Sequence, residues 1–194
     1  MGLRESALRS IESELFYWFD EKLKGNGMAQ QAVKEKDARL IFGLAMESLV
    51  GTYEVGGNNT GPMVKLLQKT IGEASREPWC MSTVQSCLAY AEEKTGIKSP
   101  VYASEHCMTT WRQTPVIQRV KQSPLKYAIV IWRNGDTDSG HTGVVVESDH
   151  RQWFRSVEGN TGSDGSRDGD GVYYKKRDWI RNGNLIKVGF LKPF

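Results

Sequence analysis

Cysteine is scarce in this chain: Cys80, Cys87 and Cys107 are the only three among 194 residues. An odd number excludes a framework in which every cysteine is bridged. On one helix, Cys80 and Cys87 would have Cα atoms roughly 10 Å apart, too far for a disulfide. A zinc site is disfavoured by spacing, because six residues between cysteines and a distant His106-Cys107 pair match no usual ligand pattern. No apolar run approaches the roughly 20 residues of a membrane span. The first 30 residues alternate charged and apolar groups and lack the apolar centre of a signal peptide. Excess charge is nearly missing, with 26 Lys and Arg against 23 Asp and Glu. No dense basic run with interleaved aromatics occurs, which argues against a nucleic-acid partner. These absences lead us to expect a soluble protein, made in the cytoplasm, whose export would need help from elsewhere.

What is present divides into two kinds of pattern. Leu8, Ile11, Leu15, Phe19 and Leu23 recur at spacings of three and four, which predicts an amphipathic helix over residues 4–24. The Trp18/Phe19 pair on its apolar side is compatible with weak contact to a membrane surface, although packing against the protein is the favoured reading. A second helix is expected over 29–49, stopped by Gly51. Pro62 suits the first turn of a short helix after the loop "GGNNTGP". Met81, Val84, Leu88 and Ala91 line one face of a further helix that ends at Gly96, and another short helix is expected over 104–113. From Lys126 the pattern becomes β: "YAIVIWR", "HTGVVVES", "WFRSVEGN", "GVYYKKR" and "LIKVGFLKPF" are five strand-like runs. Short connections make the sheet largely antiparallel. The layout is α+β, with helices packed on a sheet of about five strands. We divide it into an N-terminal helical extension, residues 1–46, and a catalytic domain, residues 47–194.

The chemistry centres on "EPWC". Pro78 and Trp79 place Cys80 at a helix start, where the dipole and unpaired N–H groups lower a thiol pKa. Such a nucleophile needs a base and a group that orients it. His141 stands at the head of a strand between Gly140 and Thr142-Gly143. If the next two strands pair symmetrically about the loop 149–152, His141 faces Asn160, and Glu158 leaves the same face two residues earlier. Either Glu158 or Asn160 could then fix the imidazole tautomer. Trp79 and Tyr127 are candidates for lining a substrate groove, with core packing the better reading of Trp79.

The segments "EPWCMSTVQSCLAYA", "IVIW", "GHTGVVVE" and "VEGNTGSDGSRDGDGVYYKKR", in this order, resemble the CHAP family of cysteine, histidine-dependent amidohydrolases/peptidases, within the NlpC-type, papain-like superfamily. The resemblance spans about 47–194. It implies a papain-like fold, with Cys80 as nucleophile, His141 as base, Glu158 as third member and Asn160 assisting. It also implies a phage-type endolysin that cuts the peptide stems of peptidoglycan in the cell wall; we further expect a monomer, and no metal or other cofactor, since neither a zinc spacing nor an acidic calcium loop before Cys80 is present. Alternatives are an antibacterial toxin with the same amidase chemistry, a non-catalytic wall-binding or virion module, or a cysteine enzyme acting on host proteins. Two departures stand out. Tyr127-Ala128 replaces the usual Gly-Asp before "IVIW", and the acidic calcium loop of some members is missing before Cys80. Asp164, Asp168 and Asp170 offer another conceivable calcium site, though a solvated turn is the favoured reading.

Overall fold

A computed structural model describes the backbone of residues 3–72, 74–122, 124–162 and 169–194, and side chains within these from residue 13 onward. Helices come first: α1 (Leu3–Leu23), α2 (Gly27–Glu35), α3 (Ala38–Ser48), α4 (Pro62–Thr70), α5 (Cys80–Thr95) and α6 (Cys107–Gln113). The sheet follows, as β1 (Arg119–Val120), β2 (Ile129–Asn134), β3 (Gly140–Ser148), β4 (Trp153–Thr161), β5 (Gly171–Asp178), β6 (Arg181–Asn182) and β7 (Leu185–Leu191). The α+β layout and the antiparallel sheet are as expected, but the sheet has seven strands rather than five. The two additional strands, β1 and β6, have two residues each, too few to show a period-two pattern.

The helix expected over 29–49 is in fact two. Lys36 adopts a left-handed backbone (φ 56°), and the Asp37 carboxylate accepts from Leu40 N to start α3. The helix expected over 104–113 begins later, at Cys107, with His106 as an extended N-cap residue. Pro62 occupies the first turn of α4, and Gly96 closes α5 at φ 73°.

The sheet order is β1-β7-β2-β3-β4-β5, with β6 also on β7. One face carries Ile129, Ile131, Val144, Val157, Val172 and Leu191 against the helices. In the same continuous core lie Leu15, Phe19 and Leu23 of α1, Ile41, Phe42 and Met46 of α3, and Met81, Val84 and Leu88 of α5. Phe19 is fully buried and Trp18 packs against this core, so the aromatic pair is directed inward. The opposite face holds a second apolar cluster of Ala128, Val130, Trp132, Val145, Phe154 and Phe190. The chain passes directly from β5 through Trp179 to β6, and Trp179 packs against that cluster. Among the described residues, no helix is long and apolar enough to cross a membrane.

Candidate active site

Helix α5 lies at the centre of the helical layer, buried on nearly every side. Its N-terminus is held by Trp79, which is completely buried in the core. Trp79 Nε1 donates to Glu54 Oε1 (2.8 Å), and its carbonyl accepts from Thr83 N (3.1 Å) and Thr83 Oγ1 (2.8 Å). Glu54 is fixed in turn because residues 51–54 pair with the start of β5, through Gly51 N to Val172 O, Val172 N to Thr52 O and Glu54 N to Asp170 O. Gly159 on β4 lets the helix come this close: a Cβ there would stand 2.3 Å from Thr83 Oγ1. Cys80 is thereby held at the first position of α5, where a backbone N–H lacks an intrahelical acceptor.

His141 and Glu158 meet through the β3–β4 register. Near the turn, Glu147 faces Arg155 and Ser148 faces Phe154, one residue away from the expected pairing. A bulge at Val146 then shifts the ladder, so that Val145 faces Ser156 and Val144 faces Val157, as expected. Gly143 is consequently opposite Glu158, and a Cβ on Gly143 would lie 2.5 Å from Glu158 Cγ. The missing side chain is the space through which Glu158 Oε2 reaches His141 Nε2, at 2.9 Å. This leaves Nδ1 as the imidazole nitrogen available to Cys80, and the two groups shift each other's pKa toward the charged forms. Trp132 pairs with His141 across β2–β3 and stacks on its ring, with centroids 5.7 Å apart and 21° between planes.

Glu158 is fully buried and multiply bonded. Arg177 Nε donates to Oε1 (2.8 Å), Arg177 Nη2 donates to Oε2, and Ser156 Oγ donates to Oε1 (2.6 Å). Arg177 also lies over the Trp132 ring, 5.4 Å from its centroid. Burial would raise the Glu158 pKa, but Arg177 and then His141 hold it down to about 2. Burial likewise opposes charge on His141, yet hydrogen bonds to Cys80 and Glu158 and their negative charges push it up to about 9. Cys80 is held well below the ordinary thiol value, first by a hydrogen bond from Cys107, against the effect of burial, then by His141 and by Met81 N–H. The shifts all run toward the charged form of each group, because each has a neighbour of opposite charge.

Asn160 takes a different position from that expected of a residue assisting the histidine. It adopts a left-handed backbone (φ 52°). With its amide oriented to satisfy both neighbours, Oδ1 accepts from Trp79 N (3.2 Å) and Nδ2 donates to Gly169 O (3.2 Å). It therefore bears on Cys80 through Trp79. Tyr127 is buried too, with its hydroxyl donating to Glu47 Oε1 (2.9 Å), so neither groove candidate faces solvent. Asp164 and Asp168 lie outside the described residues. Among the described residues, no group of three or more His, Cys, Asp or Glu side chains is placed to hold a metal ion.

Sequence reasoning does not single out Arg177, Ser156, Trp132 or Cys107 for the site, whereas the glycines flanking His141, Gly140 and Gly143, are legible as points of close approach. Arg177 sits in "YYKKR", where nothing distinguishes it from two neighbouring surface lysines. The signal that singles out Cys107 is spatial: its sulfur lies 3.8 Å from that of Cys80. Comparison with known proteins returns no match, whether to family models, curated proteins or solved structures.

Proposed function

We propose that this protein is a cysteine-dependent peptidoglycan hydrolase of the CHAP type, a phage or prophage endolysin that cuts an amide bond in the peptide part of the bacterial wall. The observation that carries the chemistry is the Cys80–His141–Glu158 chain, with Glu158 Oε2 on His141 Nε2 at 2.9 Å and a depressed Cys80 thiol on the other side of the ring. A non-catalytic wall-binding module has no use for a buried carboxylate that polarises a histidine against a thiolate. The wall substrate is supported by the resemblance of "EPWC", "GHTGVVVE" and "VEGN" to such enzymes. A backbone feature adds to it. Tyr127 stands where such enzymes usually carry glycine, and its φ is 65°, a conformation that glycine adopts most readily.

In the proposed reaction, the Cys80 thiolate attacks the amide carbonyl carbon, and the carbonyl electrons move onto oxygen. The Cys80 N–H at the α5 N-terminus supplies one donor to that oxyanion. Collapse of the adduct expels the amine, which takes the proton held on His141, and leaves a thioester on Cys80. Neutral His141 then removes a proton from water, which attacks the thioester, releases the acid and regenerates the thiolate–imidazolium pair. Glu158 keeps the imidazole oriented throughout and offsets its charge. Tyr53, which is 53 % exposed, forms an edge-to-face pair with Tyr173 at 5.7 Å. Tyr53 adjoins Glu54 in the sequence and Tyr173 pairs with Glu158 across β4–β5, and the two rings offer the substrate an apolar surface.

The test is mass spectrometry of purified peptidoglycan after incubation with the protein. Fragments carrying one new carboxyl and one new amino group, or a lactyl–peptide cleavage, identify the bond. Cleavage of glycan linkages alone, or no released fragment, refutes the reading.

A further inference from the structure

Two thiols in contact inside an active site are unnecessary for the proposed acyl transfer, which uses one. The Cys107 sulfur is 3.8 Å from the Cys80 sulfur, and both residues are nearly buried, at 5 % and 6 % exposure. The contact is built into the fold from two directions. Cys80 starts α5 and Cys107 starts α6, and the two helix starts converge beside the head of β3. Gly140 allows the second approach, since a Cβ there would be 3.0 Å from Cys107 Cβ. Neither sulfur is in a disulfide, and Cys87 is fully buried further along α5.

We propose that Cys80 and Cys107 form a redox modification site, in which a small hydroperoxide oxidises the pair to a reversible disulfide that removes the nucleophile. This rests on Cys80 being the reactive thiolate of the proposed function. A hydroperoxide is small enough to reach two cysteines whose residues are only 6 % and 5 % exposed. The Cys80 thiolate attacks one peroxide oxygen: an S–O bond forms, the O–O bond breaks, and the departing hydroxide takes the proton of the His141 imidazolium to become water. Cys107 then attacks the sulfenic sulfur. An S–S bond forms, the S–O bond breaks, and the leaving hydroxide carries away the Cys107 proton as a second water. Two thiols are oxidised by two electrons, and one peroxide is reduced to two waters. The sulfurs must close from 3.8 Å to roughly 2 Å to bond. Cys107 thus protects the nucleophile from irreversible oxidation and makes hydrolysis responsive to the redox state.

The experiment treats the reduced full-length protein with hydrogen peroxide and then alkylates the unfolded chain. Non-reducing peptide mapping and peptidoglycan hydrolysis are measured in parallel. The expected result is loss of two of the three alkylatable thiols, a Cys80–Cys107 linked peptide, alkylated Cys87, and hydrolysis that falls with the linked fraction and returns on adding dithiothreitol. In Cys107→Ala, oxidation should stop at sulfinic or sulfonic Cys80 and dithiothreitol should restore nothing; Cys107→Ser replaces this variant if it fails to fold. Sulfinic or sulfonic Cys80 in the wild type with Cys107 still alkylatable overturns the inference, as does equal recovery in wild type and Cys107→Ala. A linked peptide in a protein that never digests peptidoglycan upholds the inference and removes the wall substrate. Digestion without a linked peptide does the reverse.

Discussion

Replacing Arg177 with methionine would remove two of the hydrogen bonds that hold Glu158 while keeping a side chain of similar length over Trp132. The carboxylate is fully buried and the arginine side chain is 15 % exposed, so solvent replaces little of what is lost. Removing one partner of a buried ion pair costs about 3–5 kcal/mol. The lower end applies here, because Ser156 and His141 still bond to the carboxylate. About 3 kcal/mol corresponds to a fall in Tm of roughly 6–12 °C in a chain of this size. The pH dependence separates this cause from a general packing defect. Glu158 is held at about 2 against an ordinary 4.5, so it contributes stability that is present above 4.5 and is lost as pH falls toward 2. Without Arg177 the Glu158 pKa rises and part of that contribution disappears. The difference in unfolding free energy between wild type and Arg177→Met should be widest above 4.5 and should narrow in acid, as measured by denaturant titration from neutral pH to about 2. A variant with unchanged Tm, or a difference that does not depend on pH, would refute the reasoning.

Further outcomes follow from the same geometry. Hydrolysis should decline as pH rises through about 9, where His141 loses the proton destined for the leaving amine, and in acid as Cys80 becomes protonated; a kcat/KM profile that keeps climbing above this point would contradict the assignment. Gly143→Ala should push Glu158 off His141, since the new methyl would be 2.5 Å from Cγ, costing about 1–3 kcal/mol of stability and most of the hydrolysis. Asn160→Ala should act through Trp79, lowering stability by about 1 kcal/mol while leaving the alkaline limb set by His141 in place, whereas Glu158→Gln should move that limb toward lower pH.

The parts legible in the sequence are those with strong local signals. Cys80 after Pro78-Trp79 marks a helix start, and the five long β runs alternate or sit between turn residues. The pairing of His141 with the Glu158 region also follows from the hairpin, but by compensation. The turn is centred half a residue later than its polar residues indicate, which offsets each pair by one residue, because the Asp149 carboxylate caps the N–H groups of Arg151, Gln152 and Trp153, and the bulge at Val146 restores the pairing. Bulges leave no periodic trace. The break between α2 and α3 rests on a left-handed Lys36, a residue type that carries no such signal, although Asp37 is a legible cap. Arg177 reaches Glu158 from a strand whose register depends on the connection between β4 and β5, and Cys107 arrives from a separate helix. Both are long-range facts that spacing along the chain does not encode. Hairpin spacing does not place Asn160, because its left-handed backbone turns the amide toward Trp79.

The most direct measurement compares release of soluble fragments and new amino groups from purified peptidoglycan by wild type and by Cys80→Ser, with matched circular dichroism establishing that both are folded. The account predicts steady release by the wild type and essentially none by the variant, because a serine hydroxyl beside this histidine keeps its proton and remains a weak nucleophile. A folded Cys80→Ser protein that digests peptidoglycan at the wild-type rate would contradict it.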